Sequence, residues 1–388
     1  MDFDFSPEQN ELREAIFSTC ARFDDHYWMR KDIDGGFPHD FYRAIADGGW
    51  LGIAMPEEYG GSGLGITEAT IMMQAISETG GGMSAASTVH MNIFGLNPVV
   101  VFGTDAQKKR ALPPLIHGEE KACFAVTEPN TGLNTTQLTT RALREGDRYV
   151  VTGRKVWIST AQVATHMLLL ARTTPLDQVT KPTQGLSLFY TKLDREYVDV
   201  REIEKMGRKS VDSNELFIDG LPVPVEDRIG EEGRGFEYIL HGINPERILC
   251  AGEVIGVGCA ALKRAVAYAK ERVVFNRPIG MNQGIQHPLA ISWAELQAAH
   301  LMTYRAASLY DAGKPCGSDA NAAKYLGAEA SVKACETAIL THGGFGYAKE
   351  YHVERYLREA MILRIAPVSP HLILCNIAEK VLGLPRSY

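Results

Sequence analysis

The sequence predicts an α+β multidomain protein: an N-terminal all-α domain over 1–121, a middle antiparallel β domain over 122–234 and a C-terminal helical bundle over 235–388. Three observations predict it. Apolar residues recur with a helical period over the first 120 residues, with a strand period from about 122 to 222, and with a helical period again after Gly235. A chain of 388 residues is too long for one ordinary core. No longer period recurs and no low-complexity segment interrupts it, which excludes a repeat architecture.

The first helix is written in SPEQNELREAIFSTCARF, where Ser6 caps, Pro7 takes the first helical position and Gln9 completes a capping box. Helical segments follow at DFYRAIADGGW, ITEATIMMQAISETG and DAQKKRALPPLIHG, with the turn-rich MPEEYGGSGLG between them. Strand-like runs then appear in RYVVTGRKVWIST, HMLLLART, GLSLFYTKL and SNELFIDGLPV, separated by Gly, Pro and Asp turns. Helices return in RILCAGEVIGVGCAALKRAVAYAKERVVF, PLAISWAELQAAHLMTYRAASLYDAG, NAAKYLGAEASVKACETAILTHGG, YHVERYLREAMI and LILCNIAEKVLG. Asn244 and Pro245, just before the first of these segments, look like a helix start.

Composition narrows the function classes. Forty basic against 47 acidic residues give a net charge of -7, which disfavours attraction to a nucleic-acid backbone. The N-terminal MDFDFSPEQ has no basic or apolar leader pattern, and no run reads as the roughly 20 apolar residues that span a bilayer, so a cytoplasmic protein without a membrane is expected. The seven cysteines never form CxxC, and disulfides and structural zinc are not expected. The histidines are scattered without HExxH spacing, so no metal is expected either. GGSGLG at 60–65 and GGFG at 343–346 lack the strand-before, helix-after context of a dinucleotide fingerprint and read as loop glycines.

Five segments in order carry a resemblance. CFAVTEPNTGLN at 123–134, GRKVWIST at 153–160, KMGRKSVDSNELFIDGLPVPVEDRIGEEGRGF at 205–236, ERVVFNRPIGMNQGIQ at 271–286 and HGGFGYAKEYHVERYLREA at 342–360 resemble successive signatures of the acyl-CoA dehydrogenase family. The resemblance implies an N-terminal helical domain, a middle β domain and a C-terminal four-helix bundle. It also implies bound FAD, a homotetramer built as a dimer of dimers, and an electron-transfer flavoprotein as partner. Mapped onto this chain, Phe124, Val126 and Thr127 would pack against and hydrogen-bond the isoalloxazine, with Trp157 and Ser159 beside it. Arg272, Phe275, Gln283, Gly343 and Gly344 would reach the FAD of a neighbouring subunit. The residue types suit these tasks: Arg272 supplies a permanent charge for a pyrophosphate, and Trp157 a flat apolar face. Spacing alone leaves Trp157 equally open to a role as a core anchor.

The family's chemistry removes an α-proton from an acyl-CoA thioester, which needs a desolvated carboxylate. Most members carry it in a YEGT motif near the C-terminus; here the matching stretch is RIAPVSP, with Pro367 in the glutamate's place. A minority, typified by isovaleryl-CoA and long-chain acyl-CoA dehydrogenases, carry the base in an LxxER segment, and INPERI at 243–248 resembles it. Glu246 is thereby expected to be the base, with Arg247 and Asn244 positioning the ligand and the loop of Ala366, Pro367 and Ser369 roofing the thioester. The plain alternative for Glu246 is a first-turn glutamate favoured by a helix dipole. Glu253, on a similar helical face, is the competing carboxylate. Proline has no N–H to hold the thioester carbonyl, so Ala366 or Val368 would have to donate. Leu133 and Asn134 replace the serine and aspartate of the family's GSD; Thr131, Thr135 and Thr136 are available to compensate, and Ser369 keeps a hydroxyl where the family has threonine.

The expected activity is FAD-dependent dehydrogenation of an acyl-CoA to a trans-2-enoyl-CoA. Two other readings accompany it. One is a relative with monooxygenase or desulfinase chemistry, which has no need of Glu246. The other is a non-catalytic flavoprotein that binds a partner or nucleic acid, which the net charge disfavours.

Overall fold

The structure, a computed structural model, describes residues 3–387 apart from the Phe94 side chain, so Met1, Asp2 and Tyr388 at the outer ends of the first and last expected domains lie outside the described residues. Helices α1 (Pro7–Cys20), α2 (Asp25–Asp34), α3 (His39–Asp47), α4 (Ile66–Ile76), α5 (Gly82–Phe94), α6 (Asn97–Phe102) and α7 (Asp105–Ile116) come first. The capping box of α1 forms as its sequence requires: Gln9 N donates to Ser6 Oγ at 3.2 Å, and Ser6 N donates to Gln9 Oε1 at 3.1 Å. The tract Ile66–Phe102 is apolar and long enough to cross a bilayer by composition, but most of it packs inside the protein. Between α4 and α5 it is broken at Gly80 and Gly82, whose φ values of 102° and 62° only glycine adopts readily.

The middle strands are β1 (Ala122–Ala125), β2 (Arg141–Glu145), β3 (Arg148–Ser159), β4 (His166–Arg172), β5 (Leu186–Lys192), β6 (Val198–Glu202), β7 (Ser213–Pro224) and β8 (Arg228–Ile229). They form one eight-stranded sheet in the order β6-β7-β3-β2-β4-β5-β8, with β1 beside β4. The sheet is antiparallel except where β1 and one residue pair of β2 run parallel to β4. The C-terminal part holds α8 (Gly235–Glu271), the hairpin β9 (Val273–Val274) and β10 (Arg277–Pro278), then α9 (Gln283–Asp311), α10 (Gly317–His342), α11 (Val353–Ala360) and α12 (Pro370–Lys380).

Helix α8 is the axis of the molecule, with α4, α5, α9 and α10 packed around it. Small residues let the backbones close in. A Cβ on Gly256 would lie 2.4 Å from the Gln74 carbonyl oxygen, and one on Gly258 would lie 2.7 Å from Leu296 Cδ2. A second device fixes α5. Buried Arg355 on α11 donates to the carbonyls of Gly80 at 2.6 Å and Gly81 at 3.3 Å, and Glu359 accepts from Ser84 N at 3.0 Å and Ser84 Oγ at 2.7 Å. All seven cysteines are free thiols.

Candidate active site

The helix-start signal at Asn244 and Pro245 does not start a helix. Helix α8 is already running from Gly235, and Pro245 sits inside it. The carbonyl that loses its helical partner to the proline is that of His241, an exposed residue. Glu246 is therefore mid-helix, and the dipole explanation for it falls away. Burial deepens along α8: His241 is exposed, Asn244 and Arg247 are half-buried, Glu246 is 9% exposed and Glu253 is 1% exposed.

Glu246, Cys250 and Glu253 follow at i, i+4 and i+7, one face of the helix. The Glu246 carboxylate makes no hydrogen bond among the described residues, yet neither oxygen is among their sealed, unpartnered atoms. It therefore borders open space. Burial pushes its pKa up to about 7; Glu253 adds to the rise, while His90, Arg247 and Lys324 pull against it. Glu253 is held differently: its Oε1 lies 2.5 Å from His90 Nδ1 on α5. Burial works against a charged His90, but the charge and bond of Glu253, with the charge of Glu246, hold its pKa above the ordinary value. Cys250 Sγ lies 3.9 Å from His90 Nε2. His90, Cys250 and Glu253 are close enough together to suggest a metal site. Burial raises the Cys250 thiol pKa well above its ordinary value, and His90 Nδ1 and Glu253 Oε1 are in direct contact with each other.

The outer end of α8 is tied to its neighbours. Arg247 donates from Nη2 to Asn244 Oδ1 and from Nη1 to Asn321 Oδ1 on α10, and Asn321 Nδ2 donates to Asn376 Oδ1 on α12 at 2.9 Å. The loop before α12 is held by buried Lys324, whose Nζ donates to the Val368 carbonyl at 2.8 Å; burial pushes its pKa down to about 8. Ala366 N already donates to Ile362 O at 2.8 Å, and Pro367 has no N–H. Val368 N has no partner among the described residues. Ser369 Oγ accepts from Leu372 N at 3.3 Å and caps α12.

The sheet supplies a second wall. Phe124 and Val126 lie on or just after β1, and the Thr127 carbonyl accepts from Val156 N at 2.9 Å. The pairing of β3 with β7 breaks between Lys155 and Ile158, and Trp157 in that bulge has φ 62° and is 59% exposed. A core anchor would be buried, so this alternative for Trp157 is wrong; the bulge turns the indole outward. Ser159 follows half-buried. Thr131 Oγ1 is sealed without a partner, an orphan that a bound polar group would satisfy, while Leu133 is exposed beside it. An outward indole, an orphaned hydroxyl and Thr127 fit one wall of an isoalloxazine site.

Arg272, Phe275, Gln283, Gly343 and Gly344 are all exposed, at helix ends and turns of the C-terminal part. Arg272 ends α8 with its guanidinium 5.7 Å from the Phe345 ring centroid. Phe275 stands 95% exposed in the two-residue turn between β9 and β10, at φ 51°. Gln283 opens α9; Gly343 ends α10 at φ 62°, and a Cβ on Gly344 would meet nothing within 4 Å. None of these five shares a hydrogen bond with the residues around Glu246. His90, Lys324 and the buried pair Glu128–Lys155 went unnoticed in the sequence: a lysine in NAAKYLG or GRKVWIST reads as a solvated residue, and only its place on the inward helix or strand face signals otherwise.

A helical–β–helical chain with a desolvated carboxyl on its central helix and an indole presented by its sheet has the architecture of a flavin-dependent oxidoreductase. Family models for the acyl-CoA dehydrogenase N-terminal, middle and C-terminal domains match residues 6–119, 123–221 and 233–368. The chain belongs to the acyl-CoA dehydrogenase family, whose cofactor is FAD. It is 35% identical over 395 residues to acyl-CoA dehydrogenase FadE12 of Mycobacterium tuberculosis, covering 99% of this chain and 98% of that one. It is 34% identical over 361 residues to the caffeyl-CoA reductase-Etf complex subunit CarC of Acetobacterium woodii, covering 92% and 94%. Its fold superposes on butyryl-CoA dehydrogenase from Megasphaera elsdenii with a TM-score of 0.93 at 28% identity, covering 98% of this chain and all of the other.

Proposed function

We propose that this acyl-CoA dehydrogenase removes the α-proton of an acyl-CoA thioester with Glu246 and so forms a trans-2-enoyl-CoA. FAD, when bound, accepts the β-hydrogen as hydride. Phe124, Val126, Thr127, Thr131, Trp157 and Ser159 hold and face the isoalloxazine. Arg247 and Asn244, at the open end of α8, position the CoA part. Val368 N–H, rather than that of Ala366, is the backbone donor left to hold the thioester carbonyl. Arg272, Phe275, Gln283, Gly343 and Gly344 serve the FAD of a neighbouring subunit. Exposed Trp293 and Ile291 on α9 fit burial in a homotetramer built as a dimer of dimers. Electrons pass to an electron-transfer flavoprotein, in keeping with the Etf complex named for CarC, and the setting is cytoplasmic.

The contrast between the two carboxylates carries the reading. Glu253 is engaged by His90, whereas Glu246 is desolvated, unbonded and poised near neutral pH, the condition in which a carboxylate is an effective base. Monooxygenase or desulfinase chemistry gives no reason to desolvate it. Anaerobic bleaching of the flavin by a panel of acyl-CoAs tests this. Glu246→Gln should slow bleaching by about 10²- to 10⁴-fold with the FAD spectrum retained, and Glu253→Gln far less. Bleaching of Glu246→Gln at the wild-type rate would exclude Glu246 as the base.

A further inference from the structure

Inward from Glu246 the site does not become a plain apolar slot. Cys250 and Glu253 continue the α8 face, and α5 brings up Ser87 and His90, one helical turn apart. Between β6 and β7 the loop 203–212 adds Arg208, which is half-buried and donates from Nη1 to Ser87 Oγ at 2.8 Å. This is the guanidinium's only hydrogen bond among the described residues, although it has five N–H donors. The carboxylates that most favour its charge are Glu359 and Glu253, and neither forms an ion pair with it: Glu359 is bound to Arg355 and Ser84, and Glu253 to His90. None of the Arg208 nitrogens is among the sealed, unpartnered atoms of the described residues. Its remaining donors therefore face accessible space.

The backbone holds Arg208 there against its own preference. Its φ is 56°, a region a non-glycine residue occupies only when its surroundings impose it. Those surroundings are visible on both sides. Arg358 Nη1 donates to the Met206 carbonyl at 3.1 Å, a Cβ on Gly207 would lie 3.1 Å from the Arg358 carbonyl oxygen, and Lys209 Nζ donates to the Ile33 carbonyl. The loop is clamped to α11 and α2, and the clamp aims a cation at the polar floor.

We infer that the acyl group accepted here carries an acceptor oxygen, as hydroxyl, carbonyl or carboxylate, beyond its β-carbon, and that Arg208 binds it beside Ser87 and the His90–Glu253 pair. The inference rests on the acyl-CoA reading of the site. A plain alkyl chain would strip water from the unused guanidinium donors and return nothing, whereas an oxygen acceptor satisfies them. Sites built to hydrogen-bond a substrate group discriminate strongly against the analogue that lacks it.

The test uses the FAD-loaded protein and straight-chain acyl-CoAs of graded length, each with its terminal-hydroxyl and terminal-carboxyl analogue. At some length an oxygen-bearing member should exceed its plain counterpart in kcat/KM by about 10-fold or more, and which analogue leads names the group. Arg208→Met should bring that pair within about threefold, mainly by raising KM for the oxygen-bearing member, and Arg208→Lys should restore part of the gap. The idea is overturned if plain chains match every analogue. It is also overturned if Arg208→Met slows plain and oxygen-bearing substrates alike while lowering thermal stability, which would make Arg208 a strut of the loop. Failure of every acyl-CoA to reduce the flavin would instead remove the functional reading and this inference with it.

Discussion

Two buried carboxylates in this molecule are treated in opposite ways. In the sheet, Glu128 accepts from Lys155 Nζ at 3.0 Å, from Thr139 N and Thr139 Oγ1 at 2.8 Å each, and from Thr140 N at 2.9 Å. Lys155 is equally saturated, donating also to the carbonyls of Val126 at 3.0 Å and Leu170 at 2.8 Å. Burial opposes both charges, but Lys155 and the threonine bonds outweigh it for Glu128 and hold that carboxyl at about 2. Burial pushes Lys155 down to about 8, with Glu128 offsetting part of the fall. On α8, Glu246 has the burial without the bonds. A saturated pair stiffens the sheet behind the proposed flavin wall; an unsaturated carboxyl keeps its basicity for a ligand.

The sharpest way to break this comparison is to neutralise each member. Glu246→Gln should lose about 10²- to 10⁴-fold in kcat/KM and unfold no earlier in denaturant than the wild type. Lys155→Met, which leaves Glu128 buried and unpaired, should lower unfolding stability by about 3 to 5 kcal/mol, read from the same denaturant curves. If Lys155→Met were harmless, the sheet pair would not be the rigid reference proposed here.

A gentler test moves the base without removing it. The groups facing Glu246 are His90 from α5, Arg247 and Glu253 from α8, and Lys324 from α10. The acidic limb of kcat/KM against pH should therefore fall near 7, with activity rising as Glu246 deprotonates. His90→Gln removes a cation that favours the Glu246 anion and leaves Glu253 uncompensated, so the limb should move up by roughly one pH unit. An unmoved limb would detach His90 from the base.

The smallest expected effect is on stability against pH, and its sign differs between the two sites. Glu128 has a folded pKa below its ordinary 4.5, so it contributes stability above 4.5 that is lost as pH falls toward about 2. Glu246 has a folded pKa above 4.5, so its contribution worsens as pH rises from 4.5 through about 7. Melting temperatures should show Glu128→Gln losing ground to the wild type on going from acid to neutral pH, and Glu246→Gln gaining it.

Much of this was readable before any coordinates. The change of period from helix to strand and back marks the helical, β and helical parts, and the Ser6 box marks α1 to the residue. Short polar strands such as β2 and β6 were not legible, because RALRE and VDVRE carry too few apolar residues to show alternation. The start of α8 was misplaced because Asn-Pro is a strong local signal that tertiary packing overrode. At the site, Glu246 was reached through the INPERI segment. Arg208, His90 and Lys324 were not, since burial of a charged residue depends on elements far away in the chain: α5 for Arg208, α8 for His90, the loop before α12 for Lys324.

Helix α8 has one more consequence. As an unbroken rod of 37 residues, about 55 Å long, it sets the spacing of Arg247, Glu246 and Glu253 by helical pitch alone. The side chains of the proposed acyl floor, Ser87, His90 and Arg208, are contributed from outside that ruler. Diversification of diet can then proceed by editing a short loop and one flanking helix, while the chemistry stays ruled off on a scale that neither edit touches.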